Sequence, residues 1–199
     1  MNPPKALLPA LLSRLKIMAN LDIAIRFEPQ DGKFQIKYEN RSIDFRLSTL
    51  HTNDAVQAVT RLVDMGIDPY LVSSSVILVA AQRLVRKLCE HCRVQIDVPR
   101  KELLAVGVQE TELGDLQLYG PNAGGCPRCK NGYRGRMALL ETLPLSQDLK
   151  RMVVEGRSVA EMKNKGLEDG MLTLRRIGVL NAMRGKTSLE EVLRITMGD

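Results

Sequence analysis

With 199 residues and 44% apolar content, the chain is long enough to bury one or two cores and too apolar to be a disordered tail. Its formal charge of +6 suits nucleic acid, acidic lipid or nucleotide phosphate, yet Trp is absent and only four Tyr and three Phe are present, which argues against single-strand reading by base stacking. The longest apolar run, Val76-Ile77-Leu78-Val79-Ala80-Ala81, is far too short to cross a bilayer. Any membrane contact is expected to pass through a partner.

In chain order, Leu8, Leu11, Leu12, Leu15, Met18 and Ala19 fall on one face at helical spacing, so an amphipathic helix opens the sequence. Turn residues at 29–32 precede Phe34, Ile36 and Tyr38, which alternate with polar neighbours, and a polar turn at 39–41 leads to Ile43, Phe45 and Leu47. This predicts a β-hairpin. A second amphipathic helix carries Val56, Val59, Leu62 and Val63, capped by Asn53 or Asp54 and stopped by Gly66. A short helix follows Asp68-Pro69, residues 81–88 read as a strand, a short helix is predicted near 100–106, and a strand at 137–140. After Pro144 the pattern is helical, with capping boxes at Ser158/Glu161 and Thr187/Glu190 and an apolar side made by Met171, Leu174, Ile177 and Leu180.

All four cysteines lie in two C-x-x-C pairs, Cys89-Glu90-His91-Cys92 and Cys126-Pro127-Arg128-Cys129. Two intervening residues let one tight turn aim both thiolates at one ion, and a second pair completes a closed tetrahedral sulfur cage of the structural zinc type. Two disulfides, a thioredoxin-like redox pair and inert buried thiols compete with that reading. With no signal peptide in front, the composition looks cytosolic, where thiols stay reduced, and a redox site needs only one pair at a helix start. Zinc on Cys89, Cys92, Cys126 and Cys129 is therefore expected, with His91 left either supporting the ligands or at the surface. Four thiolates on one divalent ion would lower the formal charge from +6 to +4, still basic.

Gly185-Lys186-Thr187-Ser188 superficially matches the end of a phosphate loop, but that motif requires a glycine five positions before Gly185, where Leu180 stands. No other Gly-Lys-Ser/Thr occurs. The sequence shows no machinery for nucleotide hydrolysis.

Several stretches in order resemble the C-terminal part of the secretion ATPases of type II secretion and type IV pilus assembly, the GspE/PilB group. They are Leu47-Ser48-Thr49-Leu50-His51-Thr52-Asn53-Asp54-Ala55, Arg61-Leu62-Val63-Asp64-Met65-Gly66, Ala81-Gln82-Arg83-Leu84-Val85-Arg86-Lys87-Leu88-Cys89, Gly132-Tyr133-Arg134-Gly135-Arg136 with the second cysteine pair, and Leu189-Glu190-Glu191-Val192-Leu193-Arg194. The first 50 residues are similar to the segment before that family's catalytic core, through Ile17-Met18-Ala19-Asn20-Leu21-Asp22-Ile23-Ala24, Pro29-Gln30-Asp31-Gly32 and Asp44-Phe45-Arg46. Between these regions the family carries its phosphate loop and acidic motifs, absent here. The family also has Ser-Thr-Leu twice where this chain has it once, at 48–50, so a deletion between the two copies would produce this junction.

The resemblance implies an α/β, helix-rich α+β mixed fold: an N-terminal α/β segment at 1–50, a partial RecA-like ATPase segment at 51–88 and a zinc-centred C-terminal domain at 89–199. His51 matches a family histidine near the nucleotide phosphates, and Arg46 an arginine that reaches toward nucleotide; without a phosphate loop both are expected to be vestigial. Lys33 stands where an arginine is common, and Arg26, Arg83 and Arg86 are expected to be solvated or structural. The intact family binds ATP with magnesium and forms hexameric rings beneath an inner-membrane platform protein. By that likeness, this chain is expected to be cytoplasmic, unable to hydrolyse ATP alone, and able to dock on full-length secretion or pilus ATPase subunits as a homo- or hetero-oligomer. A zinc-ribbon module contacting nucleic acid is the alternative. The 51–88 segment, deprived of its parallel sheet, is expected to leave an apolar side uncovered and to self-associate.

Overall fold

The structure, a computed structural model, describes residues 8–24, 30–38, 41–49, 54–114 and 116–197. Two compact units divide the chain, Met1–His51 and Thr52–Asp199.

The first unit holds helix α1 (Leu8–Met18) and the antiparallel strands β1 (Gln30–Tyr38) and β2 (Arg41–Thr49). The predicted hairpin forms with Phe34 opposite Phe45 and Ile36 opposite Ile43, the register that alternation requires. Ala19 is buried where α1 ends, and a side chain at Gly32 would collide with the Ala19 carbonyl oxygen. Only glycine lets the strand approach so closely.

In the second unit come α2 (Ala55–Asp64), α3 (Pro69–Ser75), β3 (Leu78–Leu88), β4 (Val94–Ile96), α4 (Arg100–Val106), β5 (Leu118–Gly120) and β6 (Tyr133–Pro144), then α5 (Gln147–Val154), α6 (Val159–Glu168), α7 (Leu174–Met183) and α8 (Leu189–Ile195). Helix and sheet are mixed as expected, and every strand pair among the described residues is antiparallel. Long strands β3 and β6 form one ribbon, running from Leu78 opposite Pro144 to Leu88 opposite Tyr133, and short strands β4 and β5 form another. Asp54 caps α2 by accepting from the Gln57 N–H, while Gly66 leaves the helix at φ 85°. Ser158 and Glu161 form the predicted capping box.

One face of the ribbon carries the core. Val85, Leu139 and Leu143 pack with Ala55, Val56, Val59, Leu149, Met162 and Leu174 in one buried cluster. This packing corrects the expectation of an uncovered α2: Val56 and Val59 are buried by the ribbon and the later helices. A second cluster, with Leu103, Val108 and Leu118 against Val179, Ala182, Leu189 and Val192, fixes the segment between the cysteine pairs onto α7 and α8.

A carboxylate lies inside the first core. Glu141 is 1% exposed, and its two oxygens accept from the N–H groups of Ala55 at 2.8 Å and Leu174 at 2.9 Å, the first residues of α2 and α7. Both helices thus direct orphan N–H groups at one anion. Burial still pushes its pKa above the ordinary carboxylate range, the two N–H groups offsetting part of that cost.

Candidate metal centre

Strand β3 delivers Cys89, whose N–H donates to the Gly132 carbonyl at 2.8 Å, so the first cysteine is fixed to the loop that follows the second pair. Within the first knuckle, the N–H groups of Cys92 and Arg93 donate back to the Cys89 carbonyl at 3.2 and 2.9 Å; within the second, Cys129 N–H donates to the Cys126 carbonyl at 3.0 Å. These tight turns are what C-x-x-C spacing requires. Asn131 and Gly132 continue with φ of 49° and 78°, and a side chain on Gly132 would meet the Asn122 N at 2.6 Å, so glycine permits the loop to close there.

The sulfurs of Cys89, Cys92, Cys126 and Cys129 all lie within 4.8 Å of one another. Cys89 is 3.8 Å from Cys126 and Cys92 is 3.5 Å from Cys129, both far beyond a disulfide bond and near the edge of about 3.8 Å that a tetrahedron with Zn–S of about 2.3 Å has. The geometry and soft donor set fit a zinc ion. The crowded sulfurs also perturb one another's protonation. Burial, reinforced by the neighbouring thiols, pushes Cys92 up to about 12. Burial also acts on Cys129, but the Cys126 N–H at 3.1 Å and the other thiols outweigh it and bring Cys129 down to about 7. Four sulfurs this close cannot all be thiolates unless a cation lies among them.

Around the sulfurs, the cage is braced rather than open. Arg93 lies over the Tyr119 ring at 4.3 Å and donates to the Gly185 carbonyl at 2.6 Å, linking the first knuckle to β5 and the α7–α8 turn. Arg86 lies over Tyr133 at 4.1 Å and donates from Nε and Nη2 to the fully buried Glu191 at 3.0 and 2.6 Å. Burial raises the pKa of Glu191, but bonds from Arg194 and Arg86 outweigh it and hold it at about 2. The expectation for Arg86 therefore holds: it is structural. So is Arg83, which donates to the Ile195 carbonyl at 2.9 Å. His91 is exposed and contacts Arg128 at 3.2 Å across the knuckles, a surface position.

One capping assignment needs correction. Ser188, not Thr187, caps α8, accepting from the Glu191 N–H at 3.2 Å, whereas the buried Thr187 hydroxyl donates to the Arg86 carbonyl at 2.8 Å. The cap is shifted by one residue because Thr187 is taken by the strand edge, and it is a single cap, since the Glu191 carboxylate accepts from Arg86 and Arg194.

Of the two nucleotide-proximal candidates, His51 lies outside the described residues. Arg46 belongs to β2 with Lys33 as its cross-strand partner, and its side chain also lies outside the described residues. The four cysteines are thus brought together. Sequence reasoning missed Glu141, Glu191, Arg93 and Tyr119 as supports. Glu141 had left a signal, an acid on the inward side of the alternation Met137, Leu139, Glu141, Leu143.

Among the described residues, no helix is long and apolar enough to cross a membrane. The sequence profile of the family described as Type II/IV secretion system protein matches residues 1–50 and 47–194. The type IV pilus assembly ATPase PilB of Pseudomonas aeruginosa is 44% identical over 150 residues, covering 75% of this chain and 26% of that protein. PilB of Thermus thermophilus is 43% identical over 152 residues, 76% of this chain and 17% of the relative. The type II secretion system protein E of Aeromonas hydrophila is 41% identical over 154 residues, 77% of this chain and 30% of the relative. The chain thus spans between about a sixth and a third of the length of these relatives.

Proposed function

Because the chain belongs to the Type II/IV secretion system protein family, we propose that it is a non-hydrolysing form of the secretion and pilus ATPases, held together by zinc on Cys89, Cys92, Cys126 and Cys129. It would act by docking on rings of full-length subunits at the cytoplasmic side of the inner membrane. The observation that carries this reading is the family match in two pieces sharing residues 47–50, with no phosphate loop between or within them. Those four residues, Leu47-Ser48-Thr49-Leu50, fit both sides of a junction, as a deletion between two similar segments would leave them.

Zinc's role in this reading is to pin structure, since four sulfurs close the coordination shell and leave no position for substrate. Arg93 and Tyr119 then transmit the fixed knuckle to the α7–α8 turn, and Arg86 with Glu191 fixes the end of β3. His51 and Arg46 take no catalytic part, because nothing in the sequence supplies the backbone cradle and lysine that hold a triphosphate.

The test is ATP turnover by purified protein, alone and mixed with a full-length relative. The reading predicts no hydrolysis above buffer alone, and co-sedimentation with, or altered turnover by, the full-length subunits. Chelator-insensitive hydrolysis that follows the protein through purification would overturn it.

A further inference from the structure

Strand β3 has two unlike stretches along its outer edge. At one end Arg86 N–H donates to Glu191 at 3.0 Å, the Arg86 carbonyl accepts from Thr187, and Leu88 N–H donates to the Lys186 carbonyl at 3.0 Å. The turn into α8 seals that end. Alternation along a strand puts the N–H and C=O groups of Ala80, Gln82 and Leu84 on the same edge as those of Arg86. There the ribbon stops at two strands, and no described strand pairs with it. The side chains of Leu78, Ala80, Gln82 and Leu84 are exposed, on the face that also shows Leu140 opposite Gln82.

Residues 78–84 carry none of the usual guards of an edge strand. There is no Pro and no Lys; the one register irregularity lies beyond, between Arg86 and Leu88; and Arg83 is engaged by the Ile195 carbonyl. The stretch also contains most of the longest apolar run in the sequence.

We propose that this edge pairs with the same edge of a second copy of the chain, as an antiparallel β3–β3 ladder centred on Ala81. The edge is self-complementary in that register: Ala80 faces Gln82 of the other copy and Leu78 faces Leu84, so residues with outward backbone groups meet each other on both sides of a two-fold axis. Charge selects the same arrangement. Two chains of +6 repel, and the exposed side chains of 78–84 carry no ionised group. A parallel pairing would bring the two Arg86 residues side by side, whereas the antiparallel one places Arg86 opposite Val76. The outer edge of β6 is less suited, since exposed Arg134 and Arg136 stand at its start. Pairing would convert the ribbon into a four-stranded sheet, and so short a ladder gives a weak dimer, with a Kd on the order of 10 µM. The proposal is independent of metal and of nucleotide.

Sedimentation equilibrium of the full chain over a range of concentrations tests it, with circular dichroism confirming that each variant is folded. Wild type is expected to dimerise. Ala80→Lys with Gln82→Lys places like charges opposite each other twice and is expected to weaken the dimer about tenfold. Ala80→Lys with Gln82→Glu places opposite charges there and is expected to restore it. The proposal is overturned if wild type stays monomeric at the highest soluble concentration. It also fails if the two double variants associate alike, or if the edge is occupied only when a full-length relative is present.

Discussion

At residues 86–88, β3 is held by a buried carboxylate, a threonine hydroxyl and a backbone carbonyl, while residues 78–84 of the same strand leave their outer edge without a described partner. The contrast shows what a chain needs to keep a strand without a neighbouring strand. At the cysteine end, side chains from the α7–α8 turn take over the work of a ladder. At the other end the sequence remains that of a strand suited to a larger sheet, and only its inner face, through Ala81 and Val85, is satisfied.

The largest effect should come from the sulfurs. Cys126→Ser is expected to abolish stoichiometric zinc binding and to cost on the order of 5 kcal/mol, a fraction of the ~10–16 kcal/mol that structural zinc sites supply. Metal analysis and a thermal melt of the same sample check this together. Next comes the seal itself. Glu191→Ala strips the Arg86 N–H and guanidinium of their buried acceptor and is expected to cost about 3 kcal/mol in denaturant unfolding.

The two buried carboxylates Glu191 and Glu141 should respond to pH with opposite signs, and the half-buried Glu112 should follow Glu191. Glu191 and Glu112 are held at about 2, the latter by Arg176 and the Gln109 N–H, below their ordinary range. Their contributions are complete above the ordinary carboxylate pKa and are lost as pH falls toward 2. The stability gap between wild type and Glu191→Gln should therefore shrink between about pH 5 and pH 2. Glu141 is raised by burial, so the cost of its charge is relieved as pH falls through its folded pKa, and wild type should gain stability relative to Glu141→Gln on acidification. Glu141→Ala leaves two helix-starting N–H groups unmatched and is expected to cost about 2 kcal/mol at neutral pH, read by urea unfolding.

At the open end the expectation is near silence. Gln82→Lys changes an exposed side chain on an unpaired edge and should move monomer stability by no more than about 0.5 kcal/mol. A large loss there would mean that 78–84 is already covered.

Legibility followed the range of the physics involved. Period-2 alternation located the β1–β2 hairpin, and apolar spacing with Asp54 and Gly66 located α2, because both signals are local. The C-x-x-C pairs announced their convergence through spacing alone. What escaped was decided by distant contacts. Thr187 looked like the cap because nothing nearby in sequence shows that the Arg86 carbonyl claims its hydroxyl. Much of the cover over Val56 and Val59 comes from distant residues such as Leu139, Leu143, Met162 and Leu174, so the loss of neighbouring sheet wrongly implied a bare helix. Arg93 over Tyr119 and the Glu141 bridge between two helix starts likewise join segments far apart in the chain.

Native mass spectrometry of freshly purified protein, paired with thiol titration before and after chelation, tests the sulfur cage most directly. The account predicts one zinc per chain, with all four thiols protected until the metal is removed and then reacting together. A metal-free chain whose four cysteines react at once would contradict it.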